Sequence, residues 1–135
     1  MRIGLIGYGG MGRHHAQQAA ANPALELVAV ADPAEAARHQ AVATHGVMTF
    51  ATGEELLAGA EVDGVVIVAP TVLHGPLIRA AAQAGKHVFS EKPFVTCPAE
   101  ADAVLALAKE KKLSKDLETE LRQAIGDFQP QFKAR

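Results

Sequence analysis

Short apolar runs alternate along this chain with stretches whose apolar residues recur every three or four positions, and turn residues fall between them. Arg2–Ile6 predicts a first strand, followed by a glycine cluster and a helix over Gly10–Ala21 that Asn22-Pro23 breaks. Residues 25–31 predict a second strand, and Asp32-Pro33 opens a helix that stops near Gly46. A short third strand at 47–49 and a small helix around 54–58 follow. Residues 64–69 (GVVIVA) have no polar face, as expected of a strand covered by helices on both sides. Residues 74–84 predict a helix with Pro76 in its first turn and Gly85 as its stop, before a fifth strand at His87–Ser90.

Cys97-Pro98-Ala99-Glu100 has the form of another helix start, with a small polar cap, proline at the first position and glutamate beyond it. That helix is expected to reach about Lys111. Strands alternating with helices predict an α/β domain of parallel βαβ units. After it, Leu113, Leu117, Leu121, Ile125, Phe128 and Phe132 form one narrow apolar stripe among charges. This predicts an amphipathic C-terminal helix that docks on the domain or on a partner. The expected division is a domain over residues 1–112 and this helix over residues 113–135.

Composition narrows the possibilities. The 135 residues suit one domain, 49% hydrophobic and only 4% aromatic, large enough to stand without disulfides or metal. The net charge of −2 offers no basic surface for nucleic acid or anionic membrane. Cys97 is the single cysteine, so no internal disulfide is available, and no histidine or cysteine spacing suggests a metal site. No apolar run approaches the roughly 20 residues of a membrane span. The first strand runs straight into the glycine cluster and reads as a strand rather than a signal peptide. A cytoplasmic location fits these features.

The chemistry begins at Gly7-Tyr8-Gly9-Gly10-Met11-Gly12, a G-x-G-x-x-G directly after a predicted strand. Gly7 permits the tight turn, Gly9 lets a pyrophosphate approach the backbone, and Gly12 lets the helix pack closely on the strand. A positive φ is expected at Gly9, which valine would tolerate poorly. The helix start then offers unpaired N–H groups and partial positive charge to phosphates. Asp32 ends the second strand, twenty residues after Gly12. There a carboxylate can accept hydrogen bonds from both ribose hydroxyls of an adenosine. It can equally serve as a helix cap before Pro33. No cation immediately follows Asp32 to receive a 2′-phosphate, and Arg38 reads as a solvated side chain, so NAD is expected in preference to NADP.

Three features in order make the chain resemble the glucose–fructose oxidoreductase / inositol dehydrogenase / MocA-like family. They are the glycine fingerprint, Pro70-Thr71-x-x-His74 after the fourth strand, and Glu91-Lys92-Pro93 after the fifth. The resemblance spans about residues 1–112. It implies a Rossmann-type, doubly wound parallel sheet of order 3-2-1-4-5, with NAD bound where the strand order reverses. It further implies that residues 7–12, Asp32, Pro70, Thr71, His74, Glu91 and Lys92 contact the cofactor.

Lys92 would stand near the nicotinamide and the substrate hydroxyl as the catalytic residue. Glu91 would orient Lys92 or bond to ribose, and a cis Lys92–Pro93 bond is in keeping with such a turn. Thr71 and His74 would face the cofactor cleft, with a helix cap as the alternative for His74. His15 matches a position often occupied by histidine in the family and reads as structural, while His14, His39 and His45 read as surface residues.

Family members continue into a larger substrate domain, which the sequence after Leu113 does not provide. The chain is therefore expected to be a truncated member that binds NAD, and inactive alone unless a second domain or chain supplies a sugar- or polyol-binding wall. Self-association is one source of such a wall. A non-catalytic nucleotide-binding module is the alternative from a different class, and a fragment that binds nothing is a third. NAD titration and alcohol-dependent NADH formation separate them.

Overall fold

The computed structural model describes residues 1–93, 95, 101 and 102. The elements run β1 (Arg2–Ile6), α1 (Gly10–Ala21), β2 (Glu26–Ala31), α2 (Glu35–His45), β3 (Met48–Phe50), α3 (Gly53–Gly59) and β4 (Gly64–Ile67). A 3₁₀ turn (Thr71–Leu73), α4 (His74–Gln83) and β5 (His87–Ser90) follow. The five strands form one parallel sheet of order β3-β2-β1-β4-β5, as expected. The stripe at 113–135 and the helix start at Cys97 lie outside the described residues.

Alternation along the strands divides the core in two. Ile6, Ala29, Ala31 and Ile67 face α3 and α4, packing with Leu56, Leu77 and Ile78. Leu5 and Val30 point the other way and pack with Ala16 of α1 and Ala41 of α2. Period-two side chains with a helix layer on each face are the physical content of a doubly wound sheet. Each fully buried leucine or isoleucine contributes about 1.5–3 kcal/mol. Small residues on the helices permit close approach: a Cβ on Gly53 would meet Leu77 at 2.6 Å.

Boundaries shift from the expected ones where local hydrogen bonding decides. The second helix begins at Glu35, because Asp32 accepts from Ala34 N–H at 2.9 Å and holds residues 32–34 in a turn. Gly46, at φ 66°, ends it as expected. The third strand sits one residue later than predicted, at Met48–Phe50. A full capping box opens α3: Thr52 Oγ1 accepts from Glu55 N–H at 3.1 Å, and the Glu55 carboxylate accepts from Thr52 N–H at 3.4 Å.

β1 and β4 are neighbours whose following segments go to opposite faces, β1 into α1 and β4 into the 3₁₀ turn and α4. Their C-terminal ends therefore leave a crevice between them, which is where ligands of such sheets bind.

Candidate functional site

The glycine turn begins where Ile6 leaves the sheet. Gly7 N–H donates to Ala31 O at 2.8 Å, tying the turn to the end of β2. Gly7 has φ 98°, and a Cβ there would stand 2.8 Å from the Val68 carbonyl group, so glycine is required. A Cβ on Gly12 would overlap the Gly7 carbonyl oxygen, so this position too is closed to any side chain.

Gly9 and Gly10 differ from these. A Cβ on either would meet no packed atom within 4 Å. Gly9 has φ −69°, not the positive value expected, so its backbone imposes no demand for glycine. What it leaves is open space at the start of α1. The first N–H groups of a helix lack intrahelical acceptors, the Gly9 cap supplies none from a side chain, and the first turn of α1 holds no acidic residue. The turn thus presents main-chain donors and the positive end of a twelve-residue helix to an empty recess, which fits a pyrophosphate.

Tyr8 departs from expectation. Its side chain is 1% exposed and packs with Leu5, Ala16, Val30 and Ala41 rather than reaching a ligand. Its ring meets His45 edge-on, with centroids 6.1 Å apart, so His45 is not a solvated surface residue. Only the backbone of Tyr8 works at the site, its N–H donating to Asp32 Oδ2 at 2.7 Å. Asp32 Oδ1 accepts from Ala34 N–H at 2.9 Å. A carboxylate has about four acceptor positions, so two remain for hydroxyl donors.

Arg38 is not free in solvent either. Its Nη1 donates to the carbonyls of Asp32 at 2.8 Å and Pro33 at 2.9 Å, bracing the loop that carries the carboxylate.

These parts open onto a cleft of about 620 Å³ lined by Gly7, Gly9, Asp32, Thr52, Pro70 and Leu73, among others. Of the expected residues, Gly7, Gly9, Asp32 and Pro70 line it. Thr52, Gly53 and Glu54 were not foreseen there, although the Thr-x-x-Glu capping pattern at 52–55 is legible in the sequence. Met11 lies at 54% exposure on the first turn of α1, outside the cleft lining.

The β4–β5 side is organised differently. Thr71 starts the 3₁₀ turn and does not line the cleft. His74 neither lines it nor caps α4: the ring is 2% exposed, with Nε2 2.8 Å from Ala69 O and Nδ1 2.8 Å from Pro93 O. Glu91 N–H donates to Ile67 O at 2.9 Å, extending the β4–β5 pairing by one bond. The Glu91 carboxylate lies 2.7 Å from His15 Nε2 and accepts from Lys92 N–H at 3.2 Å. These partners, His15 first, hold the Glu91 pKa below the ordinary glutamate range. The Lys92–Pro93 peptide bond is cis, and Lys92 itself is exposed. Among the described residues no group of histidine, cysteine, aspartate and glutamate could hold a metal ion, and no helix is long and apolar enough to cross a membrane.

Crevice, glycine turn and the Asp32 carboxylate at the end of β2 together define a dinucleotide-binding domain of the parallel α/β kind. Residues 1–115 match the family described as "Oxidoreductase family, NAD-binding Rossmann fold", and the chain belongs to this Gfo/Idh/MocA family. It is 41% identical over 113 residues to UDP-N-acetylglucosamine 3-dehydrogenase of Acidithiobacillus ferrooxidans, covering 84% of this chain and 35% of that protein. It is 40% identical over 94 residues to inositol 2-dehydrogenase of Rhizobium meliloti, covering 70% of this chain and 28% of the relative. The crystal structure of scyllo-inositol dehydrogenase from Lactobacillus casei with bound NAD(H) and scyllo-inositol superposes with TM-score 0.79 at 30% identity, covering 82% of this chain and 33% of that one. The chain thus spans about a third of the length of the proteins it resembles.

Proposed function

We propose that this chain is the cofactor-binding part of an oxidoreductase that transfers hydride between NAD and a secondary alcohol of a sugar or polyol. The carrying observation is the convergence of the glycine turn, the start of α1 and the Asp32 carboxylate on one cleft at the strand-order reversal. The names of the relatives, which act on inositols and a nucleotide sugar, support the substrate class.

When bound, the nicotinamide ring supplies the hydride acceptor or donor. All other contributions come from the chain. N–H groups of Gly10, Met11 and Gly12 bind the pyrophosphate, with Gly9 leaving room for it. Asp32 accepts from the ribose hydroxyls with its two remaining lone pairs and repels a 2′-phosphate. Pro70 borders the nicotinamide end beside β4. Lys92 takes up or releases the proton of the substrate hydroxyl, and Glu91 orients its backbone.

The described residues form the cofactor side of the site, and a sugar- or polyol-binding wall is supplied by a further domain or chain, a second copy of this one included. A cytoplasmic setting and partners limited to small molecules and protein complete the reading, supported by the weak net charge and the single cysteine.

Calorimetry with NAD and NADP tests it. NAD is expected to bind at least about tenfold more tightly, a difference of ~1.4 kcal/mol. Equal or inverted affinities would refute the assignment of Asp32, and no binding of either would refute the function.

A further inference from the structure

Two histidines bond to the Glu91-Lys92-Pro93 turn, and they come from helices on opposite faces of the sheet. His15 lies on α1, and its Nε2 stands 2.7 Å from Glu91 Oε1, the two side chains being 22% and 24% exposed. A hydrogen bond to a carboxylate is strengthened by the charge, more so when half shielded from water. The second carboxylate oxygen accepts from Lys92 N–H at 3.2 Å. Each oxygen of Glu91 thus has one partner, which fixes the orientation of the carboxylate. Lys92 Nζ makes no hydrogen bond or close ion pair among the described residues, and its charge acts on Glu91 only at a distance, as the last and smallest contribution to the lowered Glu91 pKa. Were His15 absent, Glu91 would be free to swing onto the adjacent Lys92 ammonium and draw it into an ion pair.

His74 holds the other end. Its ring spans from Ala69 O, just past β4, to Pro93 O, at 2.8 Å on each side. Ser90 Oγ lies 3.4 Å from the same Nδ1 and donates to Glu91 O at 3.2 Å. A ring fully inside the protein, in contact with the carbonyl that follows Lys92, fixes where the chain leaves the turn.

We propose that His15 and His74 are positioning residues for Lys92: His15 keeps the Glu91 carboxylate from closing onto the ammonium as a direct ion pair, and His74 anchors the turn to the end of β4, leaving Lys92 Nζ available to the nicotinamide. This rests on the reading of Lys92 given above, and neither histidine contacts the reacting atoms.

The test uses the full 135-residue chain with its lysines reductively ¹³C-dimethylated, which preserves their charge. The Lys92 methyl signal is identified by its loss in Lys92→Arg. Two probes are compared, NAD and ADP-ribose, which lacks the nicotinamide. In the wild type, NAD is expected to shift the Lys92 signal and ADP-ribose to leave it nearly in place. In His15→Ala the NAD-induced shift is expected to disappear while ADP-ribose affinity stays within about twofold of wild type. His15→Gln, whose amide can still donate to Glu91, restores the shift.

His74→Asn is expected to lose the shift as well, and is counted only after circular dichroism shows it folded, since it empties a buried site. The half-buried His15 carries the decision. A full shift in His15→Ala would overturn the proposal. A wild-type Lys92 signal that ignores NAD, with ADP-ribose still bound, would instead overturn the reading of Lys92 on which the proposal rests.

Discussion

On the β1–β2 side of the cleft the ligand-facing surface is mostly main chain. Gly9 and Gly10 leave the space open, Gly7 and Gly12 let the backbone pack beneath it, the start of α1 supplies donors, and one carboxylate, Asp32, braces the turn through Tyr8 N–H. On the β4–β5 side side chains hold the backbone: His15 on Glu91, and His74 on Ala69 and Pro93. The first arrangement asks for the absence of side chains at fixed spacing. The second asks for particular side chains brought together from distant parts of the chain. Binding a pyrophosphate needs only donors and room, whereas the proposed presentation of the Lys92 ammonium needs a held turn.

Within the glycine turn the comparison can be broken most forcefully. Gly12→Val drives a side chain into the Gly7 carbonyl, which is backbone and cannot yield. Destabilisation of about 3 kcal/mol or more is expected in denaturant titrations, with NAD binding lost as a consequence. Gly9→Val meets open space at φ −69°. Its melting temperature is expected to stay within about 2 °C of wild type, while NAD binding is abolished. Equal destabilisation by the two substitutions would show that Gly9 serves the fold and not the ligand.

Asp32→Ala stands next in size. It strips acceptors from Tyr8 N–H and Ala34 N–H, for an expected loss of about 1–2 kcal/mol in thermal melts. Calorimetry should also find the preference for NAD over NADP narrowed. A preference left at its wild-type size would mean that the ribose is recognised elsewhere.

What the sequence disclosed follows the same division. The sheet order, the glycine turn and Asp32 were legible because each depends on neighbours within one βαβ unit, where periodicity and turn chemistry are local. Tyr8 is harder to read because it turns into the core while its neighbours Gly7 and Gly9 line the cleft, and nothing in a six-residue motif says which way an aromatic ring turns. Arg38 reads from sequence as a solvated side chain, since its acceptors are carbonyls and any residue type can provide a carbonyl. The partnership of His15 with Glu91 crosses 76 residues and joins α1 to the end of β5. No spacing rule encodes such a distance; only the packing of α1 against the sheet creates it. His74 was expected at the cleft, but its two ring nitrogens find backbone oxygens inside the protein.

A smaller effect sharpens the β4–β5 side. Because the folded Glu91 pKa is lowered, first through His15, its stabilisation is complete above the ordinary glutamate value of about 4.3 and is lost as pH falls through the lowered one. Melting temperatures of wild type and Glu91→Gln should therefore differ at neutral pH and converge as the pH drops from about 5 to about 3. A gap that stays constant over that range would exclude the carboxylate's charge as its source.

The smallest expected effect is none: with inositol or glucose and NAD, the isolated chain and its Lys92→Met variant should both show only background NADH absorbance. Polyol-dependent NADH formation that vanishes in Lys92→Met would show instead that copies of the chain complete one another.

The inward turn of Tyr8 has a further consequence. With its ring buried against His45 and its N–H bound to Asp32, the loop around it is already in its ligand-ready shape before any dinucleotide arrives. Ordering a loose loop would cost about 1–2 kcal/mol per residue in backbone entropy, and here that cost falls on folding rather than on binding. The more firmly this loop is held, the closer the apparent affinity of the phosphate end lies to its intrinsic affinity. Association should accordingly follow a single exponential whose rate rises linearly with NAD concentration, without the plateau that a slow loop rearrangement would impose.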